Sequence, residues 1–89
     1  MRIKDHFVLR EVAGEAVAVT AGNSEGAFWG MVQMNETGVF IWNCLQENTS
    51  REAILEKMLE KYDIDAQTAQ RDLDLVLERF REHGLLIEP

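Results

Sequence analysis

Ala69, Leu73, Val76, Leu77 and Phe80 recur at i, i+4, i+7, i+8 and i+11, the clearest periodicity in the chain. That spacing places one apolar stripe along a helix from Ala66 to His83. A chain of 89 residues has material for one hydrophobic core, so the stripe must pack on whatever the rest of the sequence forms. The fold problem is therefore to find that partner layer within a single domain, residues 1–89.

Two segments rich in β-branched and aromatic residues, His6 to Val12 and Glu15 to Thr20, are separated by Ala13-Gly14 and read as a hairpin. A polar, glycine-containing stretch from Ala21 to Gly26 leads to a third strand, Phe28 to Gln33, with large side chains of both parities and a glycine at its centre. Glycine inside a strand marks either a bulge or a close approach of another backbone; here Gly30 fits either, or simply gives room to the core helix.

Asn35 is suited to cap a helix running through Gln46, on which Gly38, Ile41, Trp42 and Leu45 share a face while Phe40 and Cys44 fall on the other. Apolar side chains on two faces predict a central helix, and Gly38 would admit a neighbouring backbone. Thr49 and Glu52 have capping-box spacing at the start of a second helix, with Ile54, Leu55, Met58, Leu59 and Tyr62 as its stripe. Asp65 caps the third helix, Gly84 ends it, and Leu86-Ile87 follows as a short extended tail. The expected architecture is α+β: a three-stranded antiparallel sheet followed by three helices, with a winged-helix-like order of elements.

The charge excludes some functions. Residues 1–34 carry three basic and four acidic side chains, residues 35–89 six and twelve, and the net charge is −7. On the third helix Arg71, Arg79 and Arg81 face Asp72, Asp74, Glu78 and Glu82. Such a surface repels phosphate, so a winged-helix DNA-binding regulator is the weaker reading and no nucleic-acid partner is expected. Apolar runs are three or four residues long and the N-terminus lacks a secretory signal, so the expectation is a cytoplasmic protein without a membrane partner.

Catalytic candidates are few. His6 and His83 lie at opposite ends of the chain, neither spaced with a second metal ligand, and Cys44 has no sequence neighbour to lower its pKa. A single cysteine forms no internal disulfide. The expectation is a non-enzyme without metal or cofactor. Leu75 departs from the helix pattern, standing well off the core stripe beside Thr68, Asp72 and Arg79. It makes an apolar anchor with a mixed polar rim.

The segment Trp29-Gly30-Met31-Val32-Gln33-Met34-Asn35-Glu36-Thr37-Gly38, with Ile41-Trp42 and Leu45 beyond it, resembles the hallmark of the PqqD-like family. Arg10 to Glu15, the Tyr62-Asp63-Ile64-Asp65 junction and the ending Gly84-Leu85-Leu86 extend the resemblance over nearly the whole chain. It implies a RiPP recognition element, a type of domain first known from pyrroloquinoline quinone biosynthesis. Such a domain binds the leader of a ribosomally synthesised precursor peptide as an added antiparallel strand and delivers it to a modifying enzyme, often a radical SAM enzyme. Carried onto this sequence, the peptide-binding residues are Phe28, Trp29, Gly30, Met31, Val32 and Gln33 of the strand and Thr68, Arg71, Asp72, Leu75 and Arg79 of the third helix. Asn35 to Gly38 reads as scaffold. Trp29 departs from the smaller or polar residue expected there, and either fills a pocket for the leader or covers the strand. The resemblance leaves open a monomer or a homodimer. Proline at Met31 or Val32 is expected to abolish peptide binding while the fold survives.

Overall fold

A computed structural model describes residues 1–20 and 32–88. Its elements are β1 (Arg2–Ile3), β2 (Phe7–Val12), β3 (Glu15–Thr20), β4 (Val32–Met34), α1 (Glu36–Cys44), α2 (Arg51–Lys61), α3 (Ala66–Glu82) and β5 (Leu86–Ile87). The expected α+β fold is present: β2, β3 and β4 form an antiparallel sheet in that order, followed by three helices. Of the expected third strand, Val32 and Gln33 lie in β4, which continues to Met34; Phe28 to Met31 lie outside the described residues.

The hairpin forms where its turn residues permit. Ala13 (φ 53) and Gly14 (φ 82) are both left-handed, the backbone of a two-residue type I′ turn whose twist matches the flanking strands. Register then sorts the faces: Leu9 pairs with Ala18, which pairs with Val32, and Ala16 pairs with Met34. These side chains belong to the core or pack against it, while Arg10, Val12, Glu15 and Gln33 of the opposite parity are exposed.

The α3 stripe falls into the core as its period demands. Ala69, Leu73, Leu77 and Phe80 are buried, and Phe80 meets Trp42 of α1 edge to face at 6.0 Å. Helix α1 is the hub: Gly38, Ile41, Trp42 and Leu45 are buried on one side, and Phe40 on the other meets Tyr62 edge to face at 5.5 Å. A Cβ on Gly38 would stand 2.8 Å from the Cβ of Met34, so glycine is what lets α1 lie against β4. On α2, Ile54 and Met58 are buried, Leu55 and Tyr62 are half-buried, and Leu59 is exposed, a narrower stripe than its sequence suggests.

Two caps stand where the sequence places them. Asn35 Oδ1 accepts from the Gly38 N–H at 2.9 Å, and Asp65 Oδ1 from the Thr68 N–H at 2.7 Å. Gly84 (φ 69) ends α3 in a Schellman arrangement: the Leu85 N–H reaches the Phe80 carbonyl at 2.9 Å and the Gly84 N–H that of Arg81 at 3.0 Å, folding Leu85 into the core.

Helix α2 begins, α1 ends and the two chain ends pair differently from what the sequence suggests. The cap of α2 is Ser50, whose hydroxyl accepts from the Ala53 N–H at 3.1 Å, and not Thr49. Thr49 is held elsewhere, its N–H donating to the Met1 carbonyl at 2.9 Å. Helix α1 stops at Cys44 rather than Gln46, because the Leu45 carbonyl is turned to accept the Ile3 N–H at 2.9 Å. Beyond the three expected strands, Arg2-Ile3 pairs antiparallel with Leu86-Ile87, making the C-terminal tail half of a second, two-stranded sheet that ties both ends of the chain together.

Exposed carboxylates add a pH dependence. Hydrogen bonds from Thr68 hold Asp65 below the usual carboxylate range; the Arg51 guanidinium, bonded to Asp74 at 2.7 and 2.9 Å, does the same there, as does Arg81 for Glu88. Each depressed pKa contributes stability that is present above about pH 4, the unfolded value, and is lost as pH falls through the lower folded values. The melting temperature is expected to be flat from neutral pH to about pH 5 and to fall below about pH 4. Calorimetry between pH 2 and pH 7 checks this, and an acid limb lying wholly above about pH 5 would contradict it.

Candidate functional site

In the order β2-β3-β4, strand β4 pairs with β3 along one edge only, and among the described residues no strand pairs with its other edge. The β4–α1 junction faces α3 across a groove of about 280 Å³ lined by Met34, Asn35, Thr37 and Gly38 on one side and by Asp72, Leu75, Val76, Arg79 and Phe80 on the other. Its floor is apolar: Met34 and Phe80 are buried, Val76 is half-buried, and Leu75 is 65% exposed, the most exposed large apolar side chain among the described residues. The buried Met34 and Phe80 and the projecting Leu75 offer contact to an apolar side chain, and Asn35, Thr37, Asp72 and Arg79 line the same groove with polar groups.

The expected site residues separate into groups. Asp72, Leu75 and Arg79 come together in the groove, as their spacing on α3 implies. Val32 is 1% exposed, so its side chain belongs to the core and only its backbone can serve a partner. That position therefore corrects the expectation that proline there leaves the fold intact: it would remove a packed core side chain as well as a backbone N–H. Gln33 points the other way, exposed, and its side-chain amide bonds Glu15 across the sheet. Thr68 and Arg71 lie toward the N-terminus of α3 from the groove and do not line it; the Thr68 N–H is bound to the Asp65 cap. Phe28, Trp29, Gly30 and Met31 lie outside the described residues.

Several groove residues did not enter the sequence reading as site residues. Thr37 and Gly38 read as scaffold, Val76 and Phe80 as core stripe, and Met34 lay one residue past the strand. Val76 carries the one usable signal: it sits at the border between the core stripe and the Leu75 flank.

A second groove of about 560 Å³ runs beside the hairpin, bordered by Glu11, Glu15, Gln33, Glu36 and Val39, and shares Arg79 with the first. Arg79 therefore stands at the junction of an apolar slot and a polar, acidic channel.

The chemistry of Cys44 and His83 is modest. Burial pushes the Cys44 thiol up, outweighing the opposite pull of Lys57, a basic neighbour supplied by α2 that the sequence order conceals. His83 is exposed, its Nδ1 2.9 Å from the Arg79 carbonyl. A raised thiol pKa means little thiolate at neutral pH, so a maleimide is expected to label Cys44 more slowly than a free cysteine of the same concentration. Labelling at or above the free rate would reverse that assignment. Among the described residues, no group of His, Cys, Asp and Glu side chains is arranged to hold a metal ion, and no helix is long and apolar enough to cross a membrane.

The family model for coenzyme PQQ synthesis protein D (PqqD) matches residues 15–86. The chain belongs to the PqqD family. The matched span covers β3, β4 and all three helices, and so both walls of the groove. Two solved structures share this PqqD-family fold. One is TbiB1, in complex with the TbiA(β) leader peptide, with a TM-score of 0.75 and 25% identity, covering 100% of this chain and 98% of that one. The other is lasso peptide synthetase B1, complexed with the leader peptide, with a TM-score of 0.71 and 17% identity over 98% and 96% of the two chains; at that identity the likeness is one of fold. A search of the curated proteins finds no match.

Proposed function

We propose that this PqqD-family chain is a single-domain RiPP recognition element: it binds the leader of a ribosomally synthesised precursor peptide and hands it to a peptide-modifying enzyme. The observation that carries the reading is the placement of a strand edge without a described partner, β4, beside an apolar slot on α3 whose rim residue Leu75 is 65% exposed. An edge strand offers backbone N–H and C=O groups that an extended peptide can satisfy, and side-chain pockets beside it give selectivity. TbiB1, of similar fold, is solved with a leader peptide, which supports the same class of ligand here. The peptide adds antiparallel to β4, with one of its faces toward Leu75, Asp72 and Arg79.

Magnitudes assign the roles. Each backbone hydrogen bond contributes about 0.5–1.5 kcal/mol net, and only alternate residues among the three described in β4 turn their N–H and C=O to the free edge. Ordering a flexible leader costs about 2–5 kcal/mol, which is comparable to what those bonds supply. Burying one large apolar side chain in the slot adds about 1.5–3 kcal/mol, so the apolar anchor decides the affinity. The chain itself is non-catalytic, works in the cytoplasm as a carrier, and its enzyme partner is of the radical SAM class that the family resemblance implies.

Calorimetry with the leader of a short precursor encoded beside the gene tests this. Backbone N-methylation is then introduced into the peptide at alternate residues, leaving the protein unaltered. Strand addition requires one set of alternate N-methyl groups to abolish binding and the intervening set to leave it within about threefold, since only every second N–H faces β4. Equal sensitivity at all positions would overturn strand addition, and absence of binding would overturn the leader reading. Duplex DNA in the same assay is expected to give no signal at any salt concentration: Arg51 and Arg81 are already paired with Asp74 and with Glu78 and Glu88.

A further inference from the structure

The rim of the α3 groove carries opposite charges at its two ends. Asp72 and Arg79 are seven residues apart, which returns them to the same flank of the helix about 10.5 Å apart along its axis. Leu75 and Val76 lie between them, and all four line the one groove. Among the described residues neither Asp72 nor Arg79 is in an ion pair, whereas their neighbours Asp74, Glu78 and Arg81 on the same helix all are. Arg71 and Glu82 of the same helix are also in no ion pair among the described residues, but they do not line the groove; Asp72 and Arg79 are the two charges of α3 that are both without an ion pair and on its rim.

Resting on the leader-binding reading, we infer that Asp72 and Arg79 set the register of the bound peptide by selecting a five-residue pattern in which an apolar residue is flanked, two positions away on each side, by opposite charges. The spacing follows from strand geometry. An added strand turns every second side chain toward α3, so same-face residues two apart span about 6.7 Å and those four apart about 13 Å. A pair two apart is too short for the rim and leaves no side chain over Leu75. A pair four apart spans it, places the middle same-face residue on Leu75 and Val76, and leaves a mismatch of about 2.5 Å within reach of a flexible arginine side chain. Glu11, Glu15 and Glu36 border the adjoining channel and oppose the field of Arg79 at a distance. Selection of an acidic residue therefore works through direct, two-pronged contact with the guanidinium rather than through the surrounding potential. The two charges also distinguish the direction of the peptide, because reversing it brings like charges together at both ends.

Nuclear magnetic resonance titration of the isotopically labelled chain tests this with three soluble, threonine-rich synthetic peptides. In the first, glutamate, leucine and lysine occupy successive same-face positions; in the second, the two charges are exchanged; in the third, glutamine replaces both. The wild-type chain is expected to bind one charged order at least about fivefold more tightly than the other, with the neutral peptide between them. The double variant D72R/R79D is expected to invert that order, and about 1 M salt to shrink the preference in both proteins. Equal affinity for all three peptides, with the β4 and α3 amide signals still shifting, would overturn the charge register and leave leader binding standing. A failure of every peptide to move the β4 signals would overturn both.

Discussion

Leu75→Asp is expected to weaken leader binding at least tenfold while the melting temperature stays close to that of the wild type. Leu75 is 65% exposed and belongs to α3 without belonging to its core stripe, so the folded chain loses little when it is replaced. Surface substitutions of this kind ordinarily change stability by no more than about 0.5 kcal/mol. The peptide loses much more, because the apolar contact that offsets its ordering cost disappears and a charge is placed at the mouth of an apolar slot. Leu75→Ala separates the two effects: it removes the contact without the charge and should fall between wild type and Leu75→Asp. Calorimetric affinities for the three proteins, paired with thermal melts, check this. Undiminished binding by Leu75→Asp would make Leu75 an ordinary surface leucine and move the peptide off α3.

Gly38→Val is expected to lower stability by at least about 2 kcal/mol, near 8–16 °C in melting temperature for a domain of this size. Helix propensity alone predicts the opposite sign, since glycine is the poorest helix former after proline. Packing wins because the added Cβ would stand 2.8 Å from the Cβ of Met34. Both atoms are fixed to their backbones and neither can rotate away, so α1 must move off β4. Met34 and Gly38 both line the groove, so the same displacement should also alter peptide affinity. Denaturant melts decide the first point: equal or raised stability would mean that α1 and β4 are not in close contact.

The two variants probe different kinds of legibility. Leu75 could be found from the chain alone, because a helix with a regular stripe exposes any large apolar residue that breaks it. Gly38 could be suspected of standing at a close contact, and the atom that crowds it, the Cβ of Met34, lies only four residues back across the Asn35 cap. Of the wall formed by Met34, Asn35, Thr37 and Gly38, the last three read in the sequence as cap and scaffold, which they also are; that the wall faces Asp72 to Phe80 is a fact about how α1 crosses α3. The basic neighbour of Cys44 was hidden for the same reason, since Lys57 comes from another helix.

By itself the sequence determined the features that rest on neighbours along the chain: the Ala13-Gly14 hairpin, the Asn35 and Asp65 caps, the two-faced α1, the α3 stripe and its glycine stop. Dihedral preferences and local hydrogen bonds act over a few residues, and those are legible in order. Only the tertiary structure decided between Thr49 and Ser50 as the cap of α2, stopped α1 at Cys44, and joined Arg2-Ile3 to Leu86-Ile87, because each outcome depends on a backbone hydrogen bond or pairing from a distant part of the chain. The same division runs through the site. Periodicity places Asp72, Leu75 and Arg79 on one flank of a helix, but a flank becomes a groove only when a second wall closes against it, and that wall, the turn from Met34 to Gly38, is brought there by the packing of α1 on α3.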